Sequence, residues 1–559
     1  MKIVARHPAF IGRHVPTLVA LVVFVFLAAH QLSLPGLHYD EAKEAGLNAM
    51  QLVLGQPVTA FRDATIGIGR WRLPLMVQDY IGALNVLLAA PFLAIGGLTV
   101  SALRGLPICI AAMTLVITGG VARQLGGSLA AAVAVLLLAV NPTFVFWSRQ
   151  GIFVTNLTAL CFMASLWTGL RWWRDRRPAH LWWTVFLWGL GLYAKLLFVW
   201  AIGAMTAVML VLWGAGWLPS GKAAKQQSGK AADRQIGVWL VAIGCFLLPL
   251  IPLIVFNLQT GGTLISIFSN LGQSYYGVNN RAYLPNLATR VGQLVTLLRG
   301  DHLWYLGEVY ANRWAPWLMA AALALAVLLA VLSRHSSIPS RRRLAPLLPF
   351  VLLGLIVAQS AFTVSDLFIT HYALLTPLVP LGIGLVVERL CAQGRGRFGR
   401  LALGAAILAP VVWWGATDLA NTLRYHRILA ISGGYAAHSD AIYALADFLE
   451  QREPSAPLAL DWGIDAPVRF LTAGRVNPIE VFGYERLDGP DAGFEGRVAP
   501  FLDNPNNLYV AHAGEFVVFR GRVEALRALA AGRGQRLQEI ARFGERSGRP
   551  LFIVYQAAR

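Results

Sequence analysis

Apolar runs long enough to cross a bilayer recur along this chain, and the short loops between many of them carry clustered arginines and lysines. That alternation constrains the fold more than any motif does. A helix needs about 20 largely apolar residues to cross ~30 Å of hydrocarbon, and backbone polar groups buried in lipid leave helices and closed barrels as the only spanning structures. The runs fall at roughly 15–34, 105–121, 129–146, 155–170, 181–193, 198–217, 236–256, 317–332, 344–362, 372–387 and 401–417. With 57% hydrophobic and only 13% charged residues, the chain has more apolar segments than a soluble core could use. Much of the formal net charge of +19 sits in short loops, where it signals membrane topology and not nucleic-acid binding.

The first run is preceded by Lys2, Arg6 and Arg13 and has no small-residue cleavage pattern after it, so it reads as an uncleaved signal anchor with its amino end in the cytoplasm. Residues 80–98 form a further apolar stretch. If they crossed, the basic loops at 171–177, 222–234, 341–343 and 395–400 would all lie outside, against the positive-inside rule four times. They are therefore expected to form a juxtamembrane helix or re-entrant segment on the outer side, leaving about eleven spans. A second crossing hidden in the same loop would keep the parity.

The expected fold is an all-α polytopic membrane domain over 1–417, followed by a small extracytoplasmic α/β domain over 418–559. In the latter, Ile442, Leu445, Phe448 and Leu449 recur at helical spacing, short strands are expected at 457–462, 507–511 and 550–555, and a second helical pattern covers 523–543. Cys109, Cys161, Cys245 and Cys391 lie in or beside apolar runs without ligand spacing and read as small buried hydrophobes. There is no Gly-rich phosphate loop followed by Lys and Ser/Thr.

On this sidedness the polar residues of the outer loops collect at one face. Asp40 and Glu41 follow the first span, where Asp40 can cap a helix whose first turn Glu41 and Glu44 charge favourably. The same acids could equally serve as a general base or as ligands of a divalent cation. Arg149 and Lys195 stand alone at the outer ends of apolar runs, suited to a phosphate or to snorkelling at the interface; Arg104 has the same two readings. His371 could meet a phosphate or an aqueous boundary. Tyr275 and Tyr276, among Asn and Gln residues in the 257–314 loop, suit sugar contacts or an interfacial aromatic belt, and the amphipathic run 284–298 is expected to lie on the membrane.

The order of these motifs carries a resemblance. Asp40-Glu41 after the first span, Leu73-Pro74-Leu75 ahead of an apolar helix, and Leu103-Arg104-Gly105-Leu106-Pro107 opening the next span are followed by Asn141-Pro142 through Trp147-Ser148-Arg149. Gly191-Leu192-Tyr193-Ala194-Lys195 comes next, and His371-Tyr372 with Thr376-Pro377-Leu378-Val379-Pro380 closes the series. The set resembles the GT-C superfamily of membrane glycosyltransferases, within it the protein O-mannosyltransferase and aminoarabinose transferase group, over roughly 15–417.

The resemblance implies transfer of a sugar from a polyprenyl-phosphate donor to a protein, lipid or glycan acceptor on the outer face, with inversion. It implies Asp40 as base, with Glu41 as its neighbour, alternative base or metal ligand, and Arg104, Arg149, Lys195 and His371 around the donor phosphate. Where relatives carry an acid after the arginine of the 147–156 loop, this chain has Thr155 and Asn156, which puts that loop's role and any metal in question. A transporter or flippase predicts mid-span charges and matched broken helices, neither of which is evident here. A lipid-linked polymerase or ligase would share the carrier and differ in acceptor.

Overall fold

The computed structural model describes residues 7–150, 155–215, 229–333, 343–365, 367–393, 397–454 and 457–559. Lys2, Arg6, Arg341, Arg342, Arg395 and Asp366, with residues 222–228 of the basic linker, lie outside the described residues. Helix α1 (His7–Ala29) is followed by a turn and then by a short helix α2 (Tyr39–Glu41), a π-helical turn over Ala42–Gly46 and α3 (Leu47–Leu54). Two antiparallel hairpins follow, β1 (Thr65–Ile68) with β2 (Trp71–Pro74) and β3 (Met76–Gln78) with β4 (Ile81–Gly82).

Helix α4 (Leu84–Gly96) occupies most of the ambiguous apolar stretch. Its 13 residues rise only about 20 Å, short of the ~30 Å that a crossing needs. It buries Val86, Ala89 and Leu93 in the same apolar cluster as Ala45 and Ala49 of the preceding segment and Leu103 and Ile110 of the next helix.

The helical body continues with α5 (Val100–Leu125), α6 (Ser128–Val140), α7 (Pro142–Gln150), α8 (Thr155–Asp175), α9 (Pro178–Ala194) and α10 (Val199–Gly214). After these come α11 (Gly229–Leu247), α12 (Ile251–Thr260), α13 (Gly262–Ser269), α14 (Tyr283–Arg299), α15 (Ala315–Leu332), α16 (Leu348–Ser360), α17 (Leu378–Cys391) and α18 (Arg397–Ser432). Among the described residues, five helical stretches are individually long and apolar enough to span: Val100–Leu125, Leu196–Gly214, Ile236–Thr260, Ala315–Leu332 and Ile369–Cys391. A sixth arises if α6 and α7, bent by 62° at Asn141, are one span. The number falls below the eleven apolar runs because several runs are interrupted. Pro142 follows the α6–α7 bend, and a 3-10 turn at Ala345–Leu347 shortens α16.

The 36-residue α18 runs unbroken through 417 to Ser432, about 54 Å, and carries the chain into the C-terminal part. There α19 (Ala441–Arg452), α20 (Asp465–Leu471), α21 (Phe494–Val498) and α22 (Arg522–Gly532) flank a five-stranded sheet ordered β6-β5-β7-β9-β8. Strand β5 (Leu458–Ala459) is parallel to β6 (Ile479–Glu480) and β7 (Leu508–His512); β9 (Pro550–Ala558) is antiparallel to β7 and β8 (Arg536–Gly544). The helical pattern expected over 523–543 is divided: α22 ends at Gly532 and the remainder pairs with β9 as β8. Pairing with a neighbouring strand overrides the local helical spacing there.

Candidate active site

The turn after α1 is set by two buried arginines from other helices. Arg104, on the first turns of α5, donates to the backbone oxygens of Leu32 (2.8 Å), Pro35 (2.9 Å) and Gly36 (3.3 Å). The same guanidinium grips Glu41 in a fork, Nε to Oε1 at 2.7 Å and Nη2 to Oε2 at 2.9 Å. Arg149, near the end of α7, donates to the oxygens of Gln31 (2.5 Å) and Leu34 (2.9 Å) and meets His426 Nδ1 at 3.3 Å. Buried cations need such partners, and here the partners are the carbonyls that a sharp turn leaves without helical donors.

Asp40 emerges from this framework with its side chain 21% exposed. Its N–H donates to His38 Nδ1 at 3.2 Å, which caps the helix start from outside. His38 stacks on His438 at 4.2 Å, and His438 stacks on Tyr305 at 4.2 Å. Burial holds the Asp40 carboxyl above its ordinary value, with the charges of His38, Lys195 and Lys43 pulling the other way.

Lys195 lies just past α9 in extended backbone, buried, bridged to Ile81 of β4, with Leu196 N–H donating to Tyr80 O at 3.0 Å. Its charge acts on both Asp40 and His371, and it feels Glu44 as well. His371 is buried and accepts from Phe368 N–H at 3.1 Å through Nδ1. Arg290 of α14 also acts on His371 and donates to Leu367 O at 3.2 Å.

The structure therefore brings Asp40, Lys195 and His371 into one electrostatic neighbourhood. Tyr276 reaches the same place through Tyr80, which senses Glu44, Tyr276 and Asp40. The exposed Tyr275 and Tyr276 pack edge to face at 5.0 Å, and Tyr276 meets Phe368 at 5.9 Å.

Other expected site residues are differently employed. Glu41 and Arg104 are spent on each other and on the turn, and Arg149 lies beneath it. Asn156 Nδ2 donates to Trp147 O at 2.9 Å, so its amide ties the ends of the 147–156 loop together. A divalent cation held jointly by Asp40 and Glu41 would have to share the Glu41 carboxylate with Arg104, from which both Glu41 oxygens accept. Among the described residues no group of three or more His, Cys, Asp or Glu is arranged to hold a metal.

Arg290 was not singled out from the sequence, where it sits on an amphipathic run expected to lie on the membrane. In the fold it is buried, and α14 turns that residue inward. Glu44 was visible as an acid one turn after Asp40, and the π-helical turn keeps it beside Lys195. The stacked pair His38 and His438 joins residues 400 positions apart and left no local signal.

Residues 84–223 match the family model described as dolichyl-phosphate-mannose-protein mannosyltransferase. No curated protein sequence matches the chain. The crystal structure of ArnT from Cupriavidus metallidurans bound to undecaprenyl phosphate superposes with a TM-score of 0.58 at 13% identity, covering 98% of both chains. The archaeal oligosaccharyltransferase AglB from Archaeoglobus fulgidus, in complex with an inhibitory peptide and a dolichol-phosphate, superposes at 0.53 with 12% identity, covering 91% of this chain and 70% of that one.

Proposed function

We propose that this integral, multi-pass GT-C glycosyltransferase, of the protein O-mannosyltransferase and aminoarabinose transferase type, moves a glycosyl group from a polyprenyl-phosphate donor to an acceptor hydroxyl or amide at the outer membrane face. The observation that carries the reading is the partly exposed carboxyl of Asp40 within the field of the buried Lys195. The matched segment and the lipid phosphates bound by ArnT and AglB support the donor class.

Asp40 takes the acceptor proton as the acceptor oxygen or nitrogen bonds to the anomeric carbon. The electron pair of the breaking C–O bond passes to the phosphate, whose growing charge Lys195 stabilises, with His371 and Arg290 behind it. Attack opposite the departing phosphate inverts the anomeric centre. Glu41 and Arg104 hold the base in place, and Arg149 holds the turn that precedes it. Tyr275 and Tyr276 offer aromatic faces to the sugar. In this reading about eleven segments cross, the amino end is cytoplasmic, and residues 418–559 form the outer part.

The test is Asp40→Asn in the full chain, assayed for label transfer from polyprenyl-phosphate monosaccharides in proteoliposomes. Loss of transfer with undecaprenyl phosphate still bound is expected. Undiminished transfer sinks the base assignment, and donor translocation without transfer would make the chain a transporter.

A further inference from the structure

The two residues that flank Asp40 answer to separate parts of the molecule. Glu41 is gripped by Arg104 of α5, and Asp40 leans on His38. Tyr39 belongs to the C-terminal sheet: its hydroxyl donates to Glu480 Oε1 at 3.1 Å, and its ring meets Trp462 at 4.7 Å. Glu480 ends β6, Trp462 follows β5, and Asp465 opens α20, so all three stand at the carboxyl edge of parallel strands, the edge where α/β sheets place functional side chains.

The contact is close along its length. A Cβ on Gly36 would come within 2.1 Å of Ser439 O, and one on Gly46 within 2.9 Å of the Phe470 ring, so the segment bearing Asp40 is pressed on the outer part at both ends. Between these points runs a polar chain. Tyr484 donates to Glu480 Oε2 at 2.9 Å, and Lys43 Nζ donates to the Tyr39 hydroxyl at 2.5 Å.

We propose that Glu480 is a positioning residue for Asp40, setting its place through the Tyr39 hydroxyl, so that the outer part completes the site. This rests on the reading of Asp40 as base. Apolar packing alone would hold the two parts together; hydrogen bonds to one hydroxyl add direction, which a base one residue away requires to within about an ångström.

The experiment uses the full chain in nanodiscs, with steady-state transfer from polyprenyl-phosphate monosaccharides and separate binding of undecaprenyl phosphate. Tyr39→Phe and Glu480→Ala are each expected to lower kcat about tenfold or more, with donor KM and lipid-phosphate affinity changed by less than about twofold. The double variant is expected to be no worse than either single one, because both cut the same chain. Glu480→Gln, which keeps an acceptor for Tyr39, recovers most of the rate.

Unchanged kcat in Tyr39→Phe and Glu480→Ala overturns the proposal. So does a loss of thermal stability and lipid-phosphate binding that Glu480→Gln fails to restore, which would mark a packing role only. If Asp40→Asn retains transfer, the reading of the base fails first; if it is inactive while these variants are normal, only the positioning role fails.

Discussion

Replacing Glu41 by Gln tests the framework on which the site depends. The carboxylate and the Arg104 guanidinium are 2% and 0% exposed at the side chain and share two short hydrogen bonds. Removing one charge of a buried pair costs roughly 3–5 kcal/mol, because the other is left without its counter-charge. Here Arg104 keeps three carbonyl acceptors, at Leu32, Pro35 and Gly36, which places the cost near about 3 kcal/mol. Gln supplies one acceptor and turns an amide N–H toward guanidinium N–H groups, so the fork cannot re-form.

If that energy appears as displacement of Asp40, the transfer rate falls by about two orders of magnitude. If it appears as global stability, the unfolding midpoint in detergent falls by roughly 3 °C. Replacing both partners by Met removes the stranded charge but orphans three carbonyls, at about 1–3 kcal/mol each, so the double variant is expected to be less stable than Glu41→Gln. Thermal unfolding followed by tryptophan fluorescence, with transfer rates on the same samples, measures both. A Glu41→Gln protein with the parental midpoint and rate would refute the reasoning.

Other expectations follow from the same geometry. Because burial raises Asp40 and a base must be ionised, transfer should decline as pH falls through a midpoint above that of an ordinary aspartate; a rate profile still flat at the ordinary carboxylate value contradicts this. Lys195→Met should lower kcat by about a hundredfold or more, with partial recovery in Lys195→Arg, and equal rates in both variants would exclude a charge role. Asp418 accepts from Asn141 (3.0 Å), Asn312 (2.7 Å) and Trp414 (3.0 Å), so Asp418→Leu strands three buried donors and should cost about 3 kcal/mol or more, read as a fall in the unfolding midpoint. Gly46→Val drives a branched side chain into the Phe470 ring and should impair both stability and transfer, whereas the same change at Gly67, which has open space, should do neither.

The legible part of the site was what local chemistry marks. Asp40 announced itself as an acid after an apolar span, and Lys195 and His371 as polar residues bounding apolar runs. These three stayed together in the fold. Arg104 and Arg149 carried an equally strong local signal, yet their partners are backbone carbonyls of the 31–36 turn, which no spacing predicts. The strand over 536–544 was hidden for a related reason: its spacing suits a helix, and only β9 beside it selects the other conformation.

By itself, the sequence determined that the chain is built for a membrane and that an acid pair follows its first apolar run, because hydropathy acts through solvent and needs no long-range contact. Only the tertiary structure decided which of the two adjacent acids is partly open and which is sealed against Arg104. It alone also joined Tyr39, the neighbour of Asp40, to the Glu480 carboxylate more than 400 residues away. Burial and pairing are properties of what surrounds a side chain, and helices distant in sequence supply those surroundings.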